Sequence, residues 1–326
     1  MDSTTDIIRR TDSWRLALES GGVCAADRVM LALPLDWSVG RDAHQALHEL
    51  DALTMAAEQV SLEDVLAFQP TVLLSTLTDA LRVAYAAAAQ QTDLAEGTLR
   101  LAVLTGDPGA SMDVTRRAVE DRWGAQCLDV YALPELGVIG WGCQGRRDGI
   151  HLDDRQLRFD VLDPRADRRV ADAELGELAV TTPADWASPL ECYRTGDVVR
   201  LRRNACDCGR GAAWVEGGIL GRVDERLTVR GQALLPPTIE QVARRHPAVV
   251  DFGLRQYTVR GECELAVDIE ATELIGSEGD RARVAAEVAE DLKRSLGLRL
   301  HCDVVPPGAL SNTHTSGRRA RRLRRQ

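Results

Sequence analysis

The sequence predicts an α/β protein: a mostly parallel sheet with flanking helices, a β-rich subdomain, and a small C-terminal ferredoxin-like α+β domain. Three observations predict it. Helical and strand patterns alternate from residue 12 to about 133, which favours parallel strands with helices on their faces. Short β segments broken by glycine and proline turns fill residues 138 to 220. The remainder runs strand, helix, two strands, helix, strand, the order of a ferredoxin-like domain. The expected divisions are therefore 1–137, 138–220 and 221–326.

In chain order, "DSWRLALESGG" is a helix with Asp12 as N-cap and a glycine stop. "DRVMLALPL" is an apolar strand and "RDAHQALHELDAL" a helix. "SLEDVLAFQP" opens with Ser61 and Asp64 spaced as a capping box. "TVLLST" is a buried strand, "TDALRVAYAAAAQQ" a long helix, and "LRLAVLTG" another strand. "SMDVTRRAVEDRWG" is a helix and "QCLDVYAL" the strand that follows. Ligands of such sheets bind beyond the C-terminal ends of the strands, which singles out "TGDP" and "YALPE". Then come "QLRFDVLDP", "GELAVTT" and "DVVRLRR" as short strands. The last part holds "RLTVRG", the proline-led helix "PPTIEQVARRHP", the hairpin pair "VVDFGLRQYTV" and "CELAVDIEA", the helix "DRARVAAEVAEDLKRSLG", and the strand "LRLHCDVVPPG".

Composition narrows the function. With 44% hydrophobic and 28% charged residues, the 326-residue chain is that of a globular protein. No apolar run approaches the roughly 20 residues of a membrane helix, and "MDSTTDIIRR" has no stretch of signal-peptide length. Eight cysteines in a chain this long do not make a disulfide scaffold. A cytoplasmic protein with thiols reduced or holding metal is expected. Six arginines crowd the last nine residues, yet the net charge is −10. A nucleic-acid binder needs a basic face as well as a basic tail, so nucleic acid and membrane are not expected partners.

"DVYALPELG" (129–137), "GELAVTT" (176–182), "YRTGD" (193–197) and "GRVDERLTVRG" (221–231) follow one another in the order seen in adenylate-forming enzymes. With "NACDCGR", "LLPPTIEQV" and the small last domain, the chain most resembles the phenylacetate–coenzyme A ligase branch, from about residue 12 onward. The resemblance implies a role for each motif. Tyr131 would stack on adenine, and the turn of Gly106, Asp107 and Pro108 would contact its edge. Asp197 would accept from both ribose hydroxyls, with Arg222 adding a donor. Glu135 would face magnesium and phosphate oxygens, and Asp224 would be the hinge of the small domain. Trp37, after the "ALPLDW" strand, would line the acyl pocket. Taken singly, Tyr131 reads better as a core aromatic and Asp197 as a turn residue; it is the motifs together, in family order, that imply a nucleotide site.

The resemblance also implies a structural zinc on Cys143, His151, Cys206 and Cys208. Three thiolates and an imidazole suit tetrahedral zinc with no open position; spacing alone reads as well as thiols in loops. Mg-ATP or AMP and coenzyme A are implied in the same way.

Two family features are not found where expected. "DSTTDIIRR" stands where the resemblance places the glycine-rich phosphate loop, with Ser3, Thr4 and Thr5 as its expected remnant. The family's final-segment lysine falls at Arg318 or Arg319, and Lys293 is the sole lysine. Arginine keeps the charge but not the shape, and losing such a charge clamp costs roughly 100- to 1,000-fold in rate. The expected function is acyl activation or ligation of a small, possibly aryl, carboxylic acid through an acyl-adenylate. Two alternatives stand beside it. One is an ATP-independent acyl-transfer or condensation enzyme of a specialised biosynthetic pathway, taking an activated acyl donor. The other is a non-catalytic scaffold. A homodimer is an expected assembly.

Overall fold

The structure is a computed structural model, and it describes residues 3–166, 168–204, 206–210, 213–259, 262–272, 277–306, 309–310 and 323–325. It divides into two compact units, Met1–Leu220 and Gly221–Gln326. The first unit begins α1 (Thr4–Ser20), β1 (Arg28–Leu31), α2 (Ser38–Glu49), β2 (Leu53–Ala56), α3 (Leu62–Phe68) and β3 (Val72–Ser75). It continues α4 (Leu77–Ala89), β4 (Leu101–Leu104), α5 (Asp113–Trp123) and β5 (Gln126–Leu133). Six strands follow: β6 (Gly137–Cys143), β7 (Arg146–Leu152), β8 (Arg158–Leu162), β9 (Leu175–Thr181), β10 (Tyr193–Arg203) and β11 (Ala213–Glu216). They form one sheet in the order β2-β1-β3-β4-β5-β6-β7-β11-β10-β9-β8. Pairing is parallel as far as β5 and antiparallel beyond it. Residues 1–137 and 138–220 thus share one sheet.

The parallel half is buried on both faces, which is why "VLLS" and "LAVL" are apolar runs without alternation. Met30, Leu73, Ala102 and Leu104 face α3, α4 and α5. Their neighbours Val29, Leu31, Val72, Leu74 and Val103 face α1 and α2, where Trp14, Leu18, Ala43 and Leu47 close the second core. Among the described residues no helix is long and apolar enough to cross a membrane.

Three local expectations are corrected. Helix α1 starts at Thr4, not at Asp12, because Ser3 caps it by accepting from the Asp6 N–H at 3.1 Å. Ser3, Thr4 and Thr5 are therefore the start of a helix rather than a loop. Residues 51 to 53 leave the helical path: Asp51 takes a left-handed φ of 54° and the chain enters the edge strand β2. The capping box of Ser61 and Asp64 is present as read.

The second unit holds β12 (Gly221–Arg222), β13 (Leu227–Val229), β14 (Gln232–Leu234), α6 (Pro236–Ala243), β15 (Val249–Val259) and β16 (Glu262–Ala271). It ends with α7 (Glu278–Leu296), β17 (His301–Val305) and β18 (Leu323–Arg325). Its main sheet has the order β17-β16-β15-β18. Strand β13, expected to join that sheet, instead pairs with β14 in a separate hairpin. The reason is local: Arg230 and Gly231 both take positive φ, 49° and 79°, as a two-residue hairpin turn demands. Val284, Val288 and Leu292 of α7 pack with Ile239, Phe252 and Ile269 in this unit's core.

Gly149 shows how closely the antiparallel strands pass. A Cβ there would fall on the Val215 carbonyl and 2.7 Å from the Trp214 ring. Gly149→Ala is expected to cost about 1–3 kcal/mol, read as a lowered thermal midpoint by circular dichroism.

Candidate functional site

The site is built where β10 bulges. Between Arg194 and Val198 the register with β9 shifts, so that Thr195, Gly196 and Asp197 loop out. Gly196 has a φ of 78°, the left-handed region that a residue without Cβ takes at no steric cost. Thr195 Oγ1 donates to the Leu178 carbonyl at 2.9 Å and accepts from the Asp197 N–H at 3.1 Å. Glu177 accepts from the Gly196 N–H at 3.1 Å and from Arg194 Nε at 2.8 Å. The bulge aims Asp197 at β5, where the Tyr131 phenol donates to its Oδ2 at 2.5 Å. Both side chains are buried. The structure thus joins two of the residues singled out from the sequence.

The loop after β4 lies beside them, since Leu104 and Asp129 are paired. Gly106 takes a φ of 79°. Asp107 is buried, and its Oδ2 accepts from the Thr78 N–H at 3.1 Å, in the first turn of α4. Pro108 follows it. Further along, Ser111 Oγ donates to Asp129 Oδ2 at 2.6 Å. Asp129 keeps some exposure, but the protein around it excludes most water. That desolvation pushes its carboxyl up to about 6, against the lowering effect of hydrogen bonds from the Ser111 hydroxyl and backbone.

Glu135 sits exposed in the turn between β5 and β6. Ser38 Oγ donates to the Pro134 carbonyl at 3.1 Å, and Val138 N–H donates to Ser13 Oγ at 2.9 Å. Gly137 has a φ of 76°, and a Cβ there would lie 2.9 Å from Arg10 Cα. The turn is therefore clamped by α1 and α2. Trp37, the residue before Ser38, is 44% exposed at the N-terminus of α2, beside the turn that carries Glu135.

A second cluster lies in the antiparallel half. The ligand atoms of Cys143, His151, Cys206 and Cys208 all lie within 4.8 Å of one another. Cys143 Sγ is 3.7 Å from Cys206 Sγ, and Cys208 Sγ is 3.5 Å from His151 Nε2. In tetrahedral zinc, bonds of about 2.3 Å to sulfur and 2.0 Å to nitrogen put ligand atoms roughly 3.5–3.8 Å apart. Burial opposes ionisation of the Cys208 thiol. The Arg210 backbone N–H and the hydrogen bonds shared with Cys206 and Cys143 outweigh it and bring the thiol down to about 7. Burial pushes Cys143 up to about 11.

Arg222 and Asp224 belong to the second unit, where Arg222 Nε bonds Asp224 Oδ1 at 3.0 Å. Arg318 and Arg319 lie outside the described residues. Lys293 is on α7, 3.6 Å from Glu290. Glu177, Arg194, Ser111 and Asp129 had not been singled out. All four are polar residues within or beside the recognised motifs, and only that proximity could have flagged them.

No family profile matches the chain. It is 29% identical over 232 residues to the phenylacetate–coenzyme A ligase of Thermus thermophilus, covering 65% of this chain and 51% of that enzyme. To the Escherichia coli phenylacetate–coenzyme A ligase it is 24% identical over 323 residues, covering 95% and 71%. The chain spans about half the length of the first curated relatives it matches. Among solved structures, 2-hydroxyisobutyryl-CoA ligase in complex with an acyl-AMP superposes with a TM-score of 0.88 at 19% identity, covering 100% of this chain and 71% of that one. The benzoate CoA ligase of Burkholderia xenovorans gives 0.69 at 16% identity, covering 90% and 62%. The fold is that of the adenylate-forming acyl-CoA ligases. In sequence the chain is similar to the phenylacetate–coenzyme A ligases, at 24–29% identity.

Asp129 gives a signed test. Its native pKa lies above the ordinary 3.8, so between those values the native state holds a proton the unfolded state has released. Its contribution to stability therefore falls as pH rises from about 4 to 6 and is flat above. Thermal midpoints measured across this range should show wild type losing more stability than Asp129→Asn.

Proposed function

We propose that this chain carries an acyl-adenylate pocket and acts on a small carboxylic acid, aryl acids included, by acyl activation or ligation. The observation that carries this reading is the buried hydrogen bond from Tyr131 to Asp197. It unites the "VYALPE" and "YRTGD" motifs at the strand ends where such sheets bind ligands. In this reading Tyr131 offers its ring face to adenine and Asp197 accepts from the ribose hydroxyls. The loop of Gly106, Asp107 and Pro108 borders the base. Glu135 faces magnesium and the phosphates, Trp37 borders the acyl group, Arg222 adds a ribose donor, and Asp224 is the hinge. The names of the curated relatives and the acyl-AMP bound in a related fold support it. The acid's carboxylate oxygen would bond to the α-phosphorus of ATP as pyrophosphate leaves; a thiol such as that of coenzyme A would then displace AMP.

One observation favours a second reading, an acyl-transfer enzyme fed by an already activated donor. The sole lysine, Lys293, lies on α7 beside Glu290, and arginine stands at 318 and 319 where the family places its adenylation lysine. Calorimetry with Mg-ATP, AMP and a non-hydrolysable aryl-adenylate separates the two. Binding of all three, with acid-dependent pyrophosphate exchange, supports adenylation; binding of the aryl-adenylate without exchange supports transfer. Binding of none overturns the pocket. Asp197→Ala is expected to weaken AMP by about 10- to 100-fold, the worth of hydrogen bonds to a charged group.

The cluster of Cys143, His151, Cys206 and Cys208 fits structural zinc, by donor set and by spacing. Zinc there would tie the β6–β7 hairpin to the loop between β10 and β11. Metal analysis should find about one zinc per chain. Cys208→Ser should lower both the zinc content and the thermal midpoint.

A further inference from the structure

A bulge in a sheet leaves backbone groups without ladder partners, and something must hold them. In β10 that holder is Glu177 of β9. It is 7% exposed, so its charge requires close partners. It has them: Oε1 accepts from the Gly196 N–H at 3.1 Å, and Oε2 meets Arg194 at 2.8 Å through Nε and 2.7 Å through Nη2. Arg194 is itself held by the Asp163 carbonyl at 3.2 Å. One carboxylate thus grips the residues three and one before Asp197. The Thr195 hydroxyl, bridging Leu178 and the Asp197 N–H, closes the bulge from the other side.

We propose that Glu177 is a positioning residue that sets the direction of the Asp197 carboxylate and, through it, discrimination for a ligand's ribose hydroxyls. The inference rests on the reading of Asp197 as the ribose acceptor. Glu177 acts through the backbone at Gly196, whose N–H it anchors while the residue holds a φ of 78°. Without the anchor the Thr-Gly-Asp segment relaxes towards regular strand pairing, and a shift of one residue turns a side chain to the opposite face of the sheet.

The test compares AMP with 2′,3′-dideoxy-AMP by calorimetry in wild type, Glu177→Ala and Glu177→Gln, with circular dichroism confirming that each is folded. Wild type should prefer AMP by about tenfold or more, since only AMP offers the hydroxyls. In Glu177→Ala the ratio should fall towards one, with dideoxy-AMP binding little changed. Glu177→Gln keeps the shape but turns an amide towards Arg194 and should fall between; it carries the test if the alanine variant does not fold. A purely structural role would weaken both nucleotides together and leave the ratio alone. A wild-type ratio in a folded variant overturns the inference. Wild type that binds AMP without preference, or binds neither nucleotide, overturns the ribose reading itself and the inference with it.

Discussion

Strand β5 is the constraint on which the first unit depends. It pairs parallel with β4 on one side and antiparallel with β6 on the other, so both halves of the sheet take their register from it. Its side chains alternate in direction, which puts Asp129 and Tyr131 on a common side. One reaches Ser111 in the loop after β4 and the other reaches Asp197 in the bulge of β10. The strand then ends in the turn that α1 and α2 clamp. A shift of this one strand would part Tyr131 from Asp197 and Asp129 from Ser111, and would move the turn that carries Glu135.

The carboxylates around the site are held by different means. Glu177 lies against a guanidinium and a backbone N–H. Asp197 receives a phenol and, through its own backbone, a threonine hydroxyl. Asp129 has donors from Ser111, and these do not offset its desolvation. Burial of a charge is tolerated to the extent that donors converge on it.

Much of the fold was legible because chemistry and geometry coincide locally. "VLLS" and "LAVL" could only be strands covered on both faces, and the Ser61–Asp64 box announces a helix. The start of α1 was not legible, since Ser3 and Asp12 are equally good caps and the packing of Trp14 and Leu18 does not choose between them. The edge strand "LTMA" is too short to show a period, and the hairpin at Arg230 and Gly231 depends on a backbone conformation that arginine does not advertise. Of the site, the motif residues were visible and their partners were not. Cys143 and His151 meet Cys206 and Cys208 only because β7 pairs with β11, opposing His151 to Trp214. Glu177 looks like one more polar residue on a strand until the bulge beside it is seen.

The bond between Tyr131 and Asp197 has a consequence for any hydroxyl-bearing ligand that reaches this carboxylate. One of its two oxygens, Oδ2, already accepts from the Tyr131 phenol, which fixes the direction of the carboxylate that a hydroxyl meets. Geometry, more than raw attraction, then decides which ligands stay.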